Sequence, residues 1–294
     1  MKNNIMFTNR AFMKFAFISL LMVFLGDDAM AQRFGKTLKD VPGVVSFTYR
    51  NSFKKDVAAT LDTIKRVGIT NIEFSNLFGK TAEELRKLLD ERGMRCTSFG
   101  VSYTDLVDKT EEVGKNAKTL GASYVRVAWI PHENIPFSIE ITKKTVEDYN
   151  KAGKILKEAY GLTFCHHNHG YEFIPYQNGT LFDYLVTNTN PAYVSFELDI
   201  LWAFHPGQDV PALLRKYGQR FKLMHIKDLR KGITGDLTGA TSNENNVVLG
   251  TGQIGIAEVL QAAKKSAIEY YYIEDESSTA SIQVPLSLAY LKGL

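Results

Sequence analysis

Short apolar runs alternate with helix-like segments along most of the chain. Eight of these runs have the length and the β-branched and aromatic content of strands. They begin at Gly43, Asn71, Cys96, Tyr124, Leu162, Tyr193, Phe221 and Tyr270. Between them, apolar residues recur every three or four positions, as on one face of a helix, and residues 81–93 open with a Thr-x-x-Glu capping box. The alternation predicts an α/β protein that forms a single (β/α)₈ TIM barrel.

The first 31 residues have a different pattern from the rest. A basic start precedes an apolar run at 15–26 and the small-residue sequence "AMA" at 29–31, which is typical of a secretory signal. The apolar run is shorter than a usual membrane span, and an uncleaved anchor is the alternative. We predict a signal peptide at 1–31, a barrel domain at 32–294, and an exported protein, periplasmic or secreted, with no membrane segment in its mature form.

The composition narrows the classes of partner. The 35 basic and 32 acidic residues are nearly balanced and no basic run stands out, so nucleic acid is not an expected partner. The two cysteines, Cys96 and Cys165, lie in apolar strand-like runs. We expect two buried thiols, although export would permit a disulfide. The glycine-rich residues 232–252 predict a long loop after the seventh strand, and no pattern in the sequence sets an oligomeric state.

Groups that can bind a metal collect at the ends of the last four strands, where the active site of this fold lies. Because successive strand residues face opposite sides, Asp199, His225 and Glu274 should face the barrel axis. His167 and His169 should do so at the end of the fifth strand. Converging carboxylates and imidazoles are unfavourable to bury without a cation. They predict one divalent ion, with Mn²⁺ the first choice and Mg²⁺, Co²⁺ or Zn²⁺ the others.

Five motifs along the chain carry a resemblance to a known family. They are "HNHGYEF" from His167, "ELDILWAFHPGQD" from Glu197, "HIKD" from His225, "LGTGQIG" from Leu249 and "IEDE" from Ile273. In these motifs the chain resembles the xylose-isomerase-like barrel superfamily of sugar isomerases, epimerases and inosose dehydratases. The resemblance covers the barrel domain and implies one metal ion held by Glu172, Asp199, His225 and Glu274.

One departure from the family pattern concerns the first metal ligand. Many relatives carry a glutamate on the fifth strand itself, where this chain has His167. Glu172 lies five residues later, beyond the predicted strand end, and must fold back to reach the site. We expect Glu172 to be the ligand, and His167 in its place is the alternative.

The resemblance also implies a reaction and its catalytic residues. Glu172 and Glu274 would pass a proton to and from a sugar through an enediolate. Export and the absence of a phosphate-binding motif favour an unphosphorylated sugar, ketosugar or cyclitol as the small-molecule substrate of an isomerase or epimerase. An inosose-dehydratase-like lyase and a non-catalytic sugar-binding protein are the alternatives. The residues expected to contact substrate are His167, His169, Trp202, His205, Lys227 and Asp228.

A further set of charges should lie below the site. On the fourth strand Val125, Val127 and Trp129 are expected to face the helices, so Arg126 faces the axis. Glu73 and Glu197 face the axis from the second and sixth strands, and alternate strands share interior layers of such a barrel. We predict that Arg126 hydrogen-bonds at least one of these glutamates. A functional version of this prediction has Glu73 reaching a substrate hydroxyl while Arg126 holds it.

Overall fold

The computed structural model describes residues 34–132 and 136–294. The predicted signal peptide lies outside these residues, so that segment and the export it implies stay predictions. Within the described residues, eight parallel strands close into a barrel in chain order. The strands are β1 (Gly43–Val45), β2 (Asn71–Phe74), β3 (Arg95–Val101), β4 (Tyr124–Val127), β5 (Thr163–His167), β6 (Val194–Asp199), β7 (Phe221–Ile226) and β8 (Tyr270–Ile273).

Pairing between the first and last strands closes the barrel. Gly43 lies opposite Tyr272, and Val44 lies opposite Ile273. A short antiparallel ribbon, Pro175–Tyr176 with Gly179–Thr180, follows β5 outside the barrel. The closed order confirms the predicted (β/α)₈ fold.

Helices surround the barrel and connect its strands. They are α1 (Arg50–Phe53), α2 (Val57–Arg66), α3 (Ala82–Asp90), α4 (Tyr103–Asp108), α5 (Thr110–Leu120), α6 (Ile139–Tyr160), α7 (Leu181–Asn188), α8 (Ile200–Phe204), α9 (Val210–Tyr217), α10 (Ile256–Ala263) and α11 (Ala280–Gly293). Three 3₁₀ turns lie at Ser46–Tyr49, Tyr171–Phe173 and Asn243–Asn245. Among the described residues, none of these helices combines the length and the apolar content that crossing a membrane requires.

Local side-chain chemistry sets where several of these helices begin and end. The predicted capping box at α3 is present: Glu84 N–H donates to Thr81 Oγ1 and Thr81 N–H donates to Glu84 Oε2, at 3.2 and 2.8 Å. α5 and α6 end at Gly121 and Gly161, whose φ angles of 80° and 66° are left-handed and favour glycine.

Residues alternate between two packing layers along each strand, as the period of two predicts. Residues such as Ile72, Val125 and Phe196 face outwards and pack in the main core with the helices. A second cluster fills the lower barrel interior with Val45, Tyr124, Cys165, Leu223 and Tyr272. Both cysteines are buried and free, which confirms the prediction of two buried thiols.

Candidate active site at the barrel mouth

A layer of charged side chains lies inside the barrel. Arg126 on β4 donates from Nη2 and Nε to Glu73 Oε1 at 2.6 and 3.0 Å, and its Nε lies 3.4 Å from Glu197 Oε2. His225 Nε2 lies 2.8 Å from the same Glu73 oxygen and 3.1 Å from Glu197 Oε2. The predicted pairing of Arg126 with a glutamate is confirmed. Glu73 is fully buried in this layer, where Arg126 and His225 engage its carboxylate.

The two glutamates of this layer differ in protonation. Burial alone would raise the pKa of Glu73, but Arg126 and His225 outweigh it and lower that pKa to about 2. Burial and the neighbouring Glu73 charge raise the pKa of Glu197 to about 7. Burial opposes charge on His225, yet Glu197, Glu73 and Glu274 raise its pKa well above the usual value. Acidic groups therefore dominate the electrostatics here.

Above this layer, three donor groups converge at the ends of β5, β6 and β7. One ligand atom from each of His167, Asp199 and His225 lies within 4.8 Å of the others, and all three residues are buried. His167 Nε2 and His225 Nδ1 each lie 3.7 Å from Asp199 Oδ2. This arrangement could hold a single metal ion.

Asp199 uses its two oxygens differently. Oδ1 accepts a hydrogen bond of 2.9 Å from Trp202 N–H and so caps the start of α8. Oδ2 is buried and has no hydrogen-bond partner among the described residues. The Lys227 ammonium, 3.3 Å away, offsets part of its charge, and the two imidazoles at 3.7 Å place Oδ2 where a shared metal ion would find three donors.

Glu274 completes the group from the end of β8. Its Oε2 lies 2.8 Å from His225 Nδ1 and 2.9 Å from Lys227 Nζ. The buried Lys227 also lies 3.3 Å from Asp199 Oδ2 and 2.8 Å from Glu276 Oε1. Sequence reasoning missed Glu276, because β8 ends at Ile273 and strand parity does not extend to this position.

The structure does not bring Glu172 to this group. The 3₁₀ turn Tyr171–Phe173 carries Glu172 to His166, whose Nε2 lies 3.0 Å from Glu172 Oε1. Glu172 Oε2 accepts from His169 N–H at 2.9 Å. His166 faces away from the axis, and its Nδ1 lies 3.1 Å from Tyr149 Oη. Both carboxylate oxygens of Glu172 are thus engaged away from the converging donors, and β5 contributes His167, the alternative ligand.

A cavity of about 990 Å³ opens above these groups. Seven of the residues that the sequence singled out line it: Arg126, His167, His169, Trp202, His225, Lys227 and Glu274. His169 lies between the rings of Tyr171 and Trp202 at 5.8 and 5.5 Å. Its Nδ1 is buried and has no hydrogen-bond partner among the described residues, so this nitrogen is available to a ligand.

His205 and Asp228 were expected to contact substrate, but they hold the loop at 232–252 instead of lining the cavity. His205 Nδ1 lies 3.3 Å from the backbone N–H of Asp236. Asp228 accepts backbone N–H groups from four residues: Leu229, Gly250, Gly252 and Ile254. As predicted, residues 232–252 form a long loop, which includes the short 3₁₀ turn Asn243–Asn245 and an isolated bridge from Asn246 to Leu229. Its residues 239–241 and Asn243 form part of the cavity wall.

Trp129 lines the cavity, although strand parity predicted that it would face the helices. β4 ends at Val127, so the period-two count does not extend to Trp129. Trp129 instead lines the cavity, stacks on His132 at 4.6 Å, and meets the ring of His169 edge-on at 5.5 Å. Trp129 could have been predicted as a cavity residue only if the end of β4 had been known.

The interior carries an excess of negative charge. Five carboxylates, from Glu73, Glu197, Asp199, Glu274 and Glu276, surround two permanent cations, Arg126 and Lys227. Protons on the imidazoles and Glu197, or a divalent cation, would compensate this excess. Two imidazoles and two carboxylates also form a donor set that suits Zn²⁺, Mn²⁺ or Co²⁺, so the residues present fit the predicted metal.

The fold is a closed (β/α)₈ barrel with a group of candidate metal ligands at the ends of its strands. The chain belongs to the xylose isomerase-like TIM barrel family, whose pattern matches residues 61–292. This match covers most of the barrel and confirms the resemblance in the sequence motifs.

Of three individual proteins similar to the chain, two have the names of enzymes. Inosose dehydratase 1 of Bacillus cereus is 25% identical over 248 residues, which cover 76% of this chain and 82% of that protein. A sugar phosphate isomerase/epimerase from Parabacteroides distasonis has a TM-score of 0.69 at 24% identity, covering 86% and 93% of the two chains. The IolI protein, solved with a zinc atom, has a TM-score of 0.66 at 16% identity, covering 85% and 94%.

Replacing Arg126 tests the charged layer. Arg126→Met should lower the free energy of unfolding by about 3–5 kcal/mol, because it leaves two buried glutamates without their cation. Urea unfolding measures this loss. The matched control is Arg86→Met, which removes an exposed pair with Asp90 and should lose at most about 1 kcal/mol. Equal small losses in both variants would contradict the pairing.

Replacing Glu172 separates a structural role from a ligand role. Glu172→Leu should lower the free energy of unfolding by about 1–3 kcal/mol, because the His169 N–H and the buried His166 ring lose their partner, while Glu172→Gln should lose less. Both variants should bind metal with the stoichiometry of the unmodified protein, measured by elemental analysis. A stable Glu172→Gln protein without metal would restore Glu172 as a ligand.

Proposed function

We propose that the protein is a divalent-metal-dependent lyase that removes a proton beside the carbonyl of an unphosphorylated ketosugar or cyclitol and then releases water. The observation that carries this proposal is the convergence of His167, Asp199 and His225 next to Glu274 at the floor of an open cavity. The inosose dehydratase relatives support the same class of reaction.

The metal would be held by His167, Asp199, His225 and Glu274. When bound, it would act as a Lewis acid that polarises the substrate carbonyl. Mn²⁺ is our first candidate, and the zinc atom of the IolI structure makes Zn²⁺ the second. Asp199 Oδ2 lies 3.7 Å from both imidazoles and accepts no hydrogen bond from the described residues, and this position supports a bound cation.

Glu274 is the proposed base. Burial opposes its charge, but Lys227 and His225 outweigh burial and keep the pKa of Glu274 below its usual value, so it is a carboxylate at neutral pH. It accepts the proton as the C–H electron pair becomes the C=C bond of an enediolate and the carbonyl pair moves onto oxygen. The electron pair on oxygen then re-forms the carbonyl, the C=C pair shifts towards the next carbon, and the C–O bond at that carbon breaks. The departing oxygen takes the proton from Glu274 and leaves as water.

The position of Glu172 favours elimination over epimerisation. Epimerisation by two carboxylates needs them on opposite faces of the substrate, whereas Glu172 is turned away and Glu276 lies beside Glu274, joined to it through Lys227. Elimination needs one base and a donor for the departing oxygen. An isomerase is the second candidate, because one base can return the proton to the neighbouring carbon on the same face.

The charges of the cavity support an unphosphorylated substrate. Lys227 and Arg126 are both paired with carboxylates, and Lys109 at the rim lies 3.0 Å from Asp105. No cation among the described lining residues is left to balance a phosphate, although one similar structure is named a sugar phosphate isomerase/epimerase. We place the enzyme in the periplasm or outside the cell, on the basis of the signal-like segment at 1–31.

The ligand set is tested by removing one imidazole at a time. His167→Ala should lose most of the bound metal, because it deletes one of the converging donors, whereas His205→Ala should keep it. Elemental analysis and metal-dependent thermal unfolding measure the two effects, since a ligand at 100 times its dissociation constant stabilises a protein by about 2.7 kcal/mol. Full metal content in His167→Ala would exclude this ligand set.

The reaction is tested by following deuterium and products together. NMR of ketosugars and inososes with the metal-loaded enzyme in deuterium oxide should show exchange of one C–H and an unsaturated product. Glu274→Gln should slow exchange at least about 100-fold, with metal content measured in parallel. The exposed Glu258→Gln is the control. An isomeric product would select the second candidate, and binding without exchange would indicate a sugar-binding protein.

A further inference from the structure

The cavity extends well beyond the groups at the barrel axis. On β3, Gly100 faces the interior opposite Arg126, and a Cβ there would lie 3.1 Å from the Arg126 guanidinium. Gly100 lines the cavity and has no side chain that would occupy this part of it. The cavity continues over it to α4 and α5, where Lys109, Glu112 and Asn116 line it. We call this part the outer lobe and define it by Leu77, Val101, Tyr103, Lys109, Glu112 and Asn116.

The outer lobe is long enough for a second ring. Lys109, Glu112 and Asn116 recur at the spacing of one helix face. Lys109 is the N-cap of α5, and the seven steps from it to Asn116 correspond to about 10 Å along the helix axis. The whole cavity of about 990 Å³ lies at the upper end of the range for sites that enclose drug-sized ligands, so one monosaccharide at the metal group would leave this lobe unfilled.

The walls of the outer lobe combine a fixed aromatic ring with apolar and hydrogen-bonding side chains. Tyr103 donates from its hydroxyl to Asp148 Oδ2 on α6 at 2.6 Å, and its ring packs against Tyr149 at 5.7 Å. The ring is therefore held in place before any ligand binds. Leu77 and Val101 add apolar surface, which suits the C–H face of a sugar ring.

The charges of the outer lobe exclude a second ring that carries phosphate. Lys109 is paired with Asp105 at 3.0 Å, and Glu112 adds a negative charge at the same wall. Anionic groups would therefore be repelled, whereas Glu112 and Asn116 can accept or donate hydrogen bonds to hydroxyl groups. A neutral polyhydroxylated ring matches both the polar and the apolar parts of this wall.

We propose that the outer lobe is a second sugar subsite, so that the natural substrate is a neutral glycoside of two rings with its carbonyl-bearing ring at the metal group. This inference deepens the proposed function and rests on it for the orientation of the substrate. The second ring lies against Tyr103, with its hydroxyls toward Glu112 and Asn116. Selectivity for two rings over one then resides in β3, α4 and α5.

The test compares matched one-ring and two-ring sugars on the full metal-loaded protein. The pairs are fructose with lactulose or maltulose, and glucose with cellobiose or maltose. Saturation-transfer NMR gives dissociation constants and reports which ring receives saturation, independently of turnover. Deuterium exchange is followed in the same samples. At least one disaccharide should bind about tenfold more tightly than its monosaccharide, with saturation on both rings.

Two substitutions on α5 provide the matched variants. Asn116→Trp fills the outer lobe and should weaken disaccharide binding about tenfold more than monosaccharide binding. Lys115→Ala changes an exposed neighbour on the same helix and should leave both affinities unchanged. Circular dichroism shows whether each variant is folded. A third variant, Tyr103→Phe, keeps the aromatic ring and removes its hydrogen bond to Asp148.

The outcomes distinguish this subsite from the reaction itself. Equal affinity for one and two rings, or an equal loss for both in Asn116→Trp, overturns the subsite while exchange with monosaccharides leaves the proposed function standing. Disaccharide selectivity with no exchange supports the subsite and overturns the lyase. Failure of every sugar to bind to the metal-loaded protein overturns both proposals.

Discussion

The buried ion pairing around Arg126 is the constraint on which the site depends. A guanidinium inside the barrel is unfavourable unless carboxylates surround it, and Glu73 and Glu197 do so from the neighbouring even-numbered strands. Their negative charge in turn holds His225 through its Nε2. The other ring nitrogen of His225 then faces Asp199 and Glu274. The charged layer beneath the cavity thus orients the groups that carry the proposed chemistry.

Much of this arrangement follows from strand parity, which the sequence contains. Inside β4, β6 and β7 the alternation of apolar and polar residues assigns Arg126, Asp199 and His225 to the interior, because hydrophobic burial against the helices fixes the opposite face. The eight-fold repeat of strand and helix likewise predicts a closed barrel. The inward-facing residues and the closed barrel were both predicted from local periodicity, which holds along every regular strand.

The alternation of side-chain direction does not extend beyond the end of a strand. Trp129 lies two residues beyond β4 and enters the cavity, although the alternation assigned it to the helix side. Glu172 lies in a 3₁₀ turn whose direction is set by His166, on the outer face of β5. Tertiary contacts decide both positions: ring contacts for Trp129 and hydrogen bonds for Glu172. The outer lobe could not be predicted from the sequence either, because it forms only where the segments after β2 and β3 come together with α5.

The two carboxylate oxygens of Asp199 link the start of helix α8 to the candidate metal site. One oxygen accepts the Trp202 N–H at the start of α8, and the other lies between two imidazoles. The orientation of the inner oxygen is therefore preorganised by a helix cap. Because one side chain makes both contacts, the stability of the first turn of α8 and the affinity for a cation are thermodynamically coupled. A change that stabilises the helix cap also increases the affinity for the cation. A longer carboxylate such as glutamate keeps the charge but cannot satisfy both geometries at once.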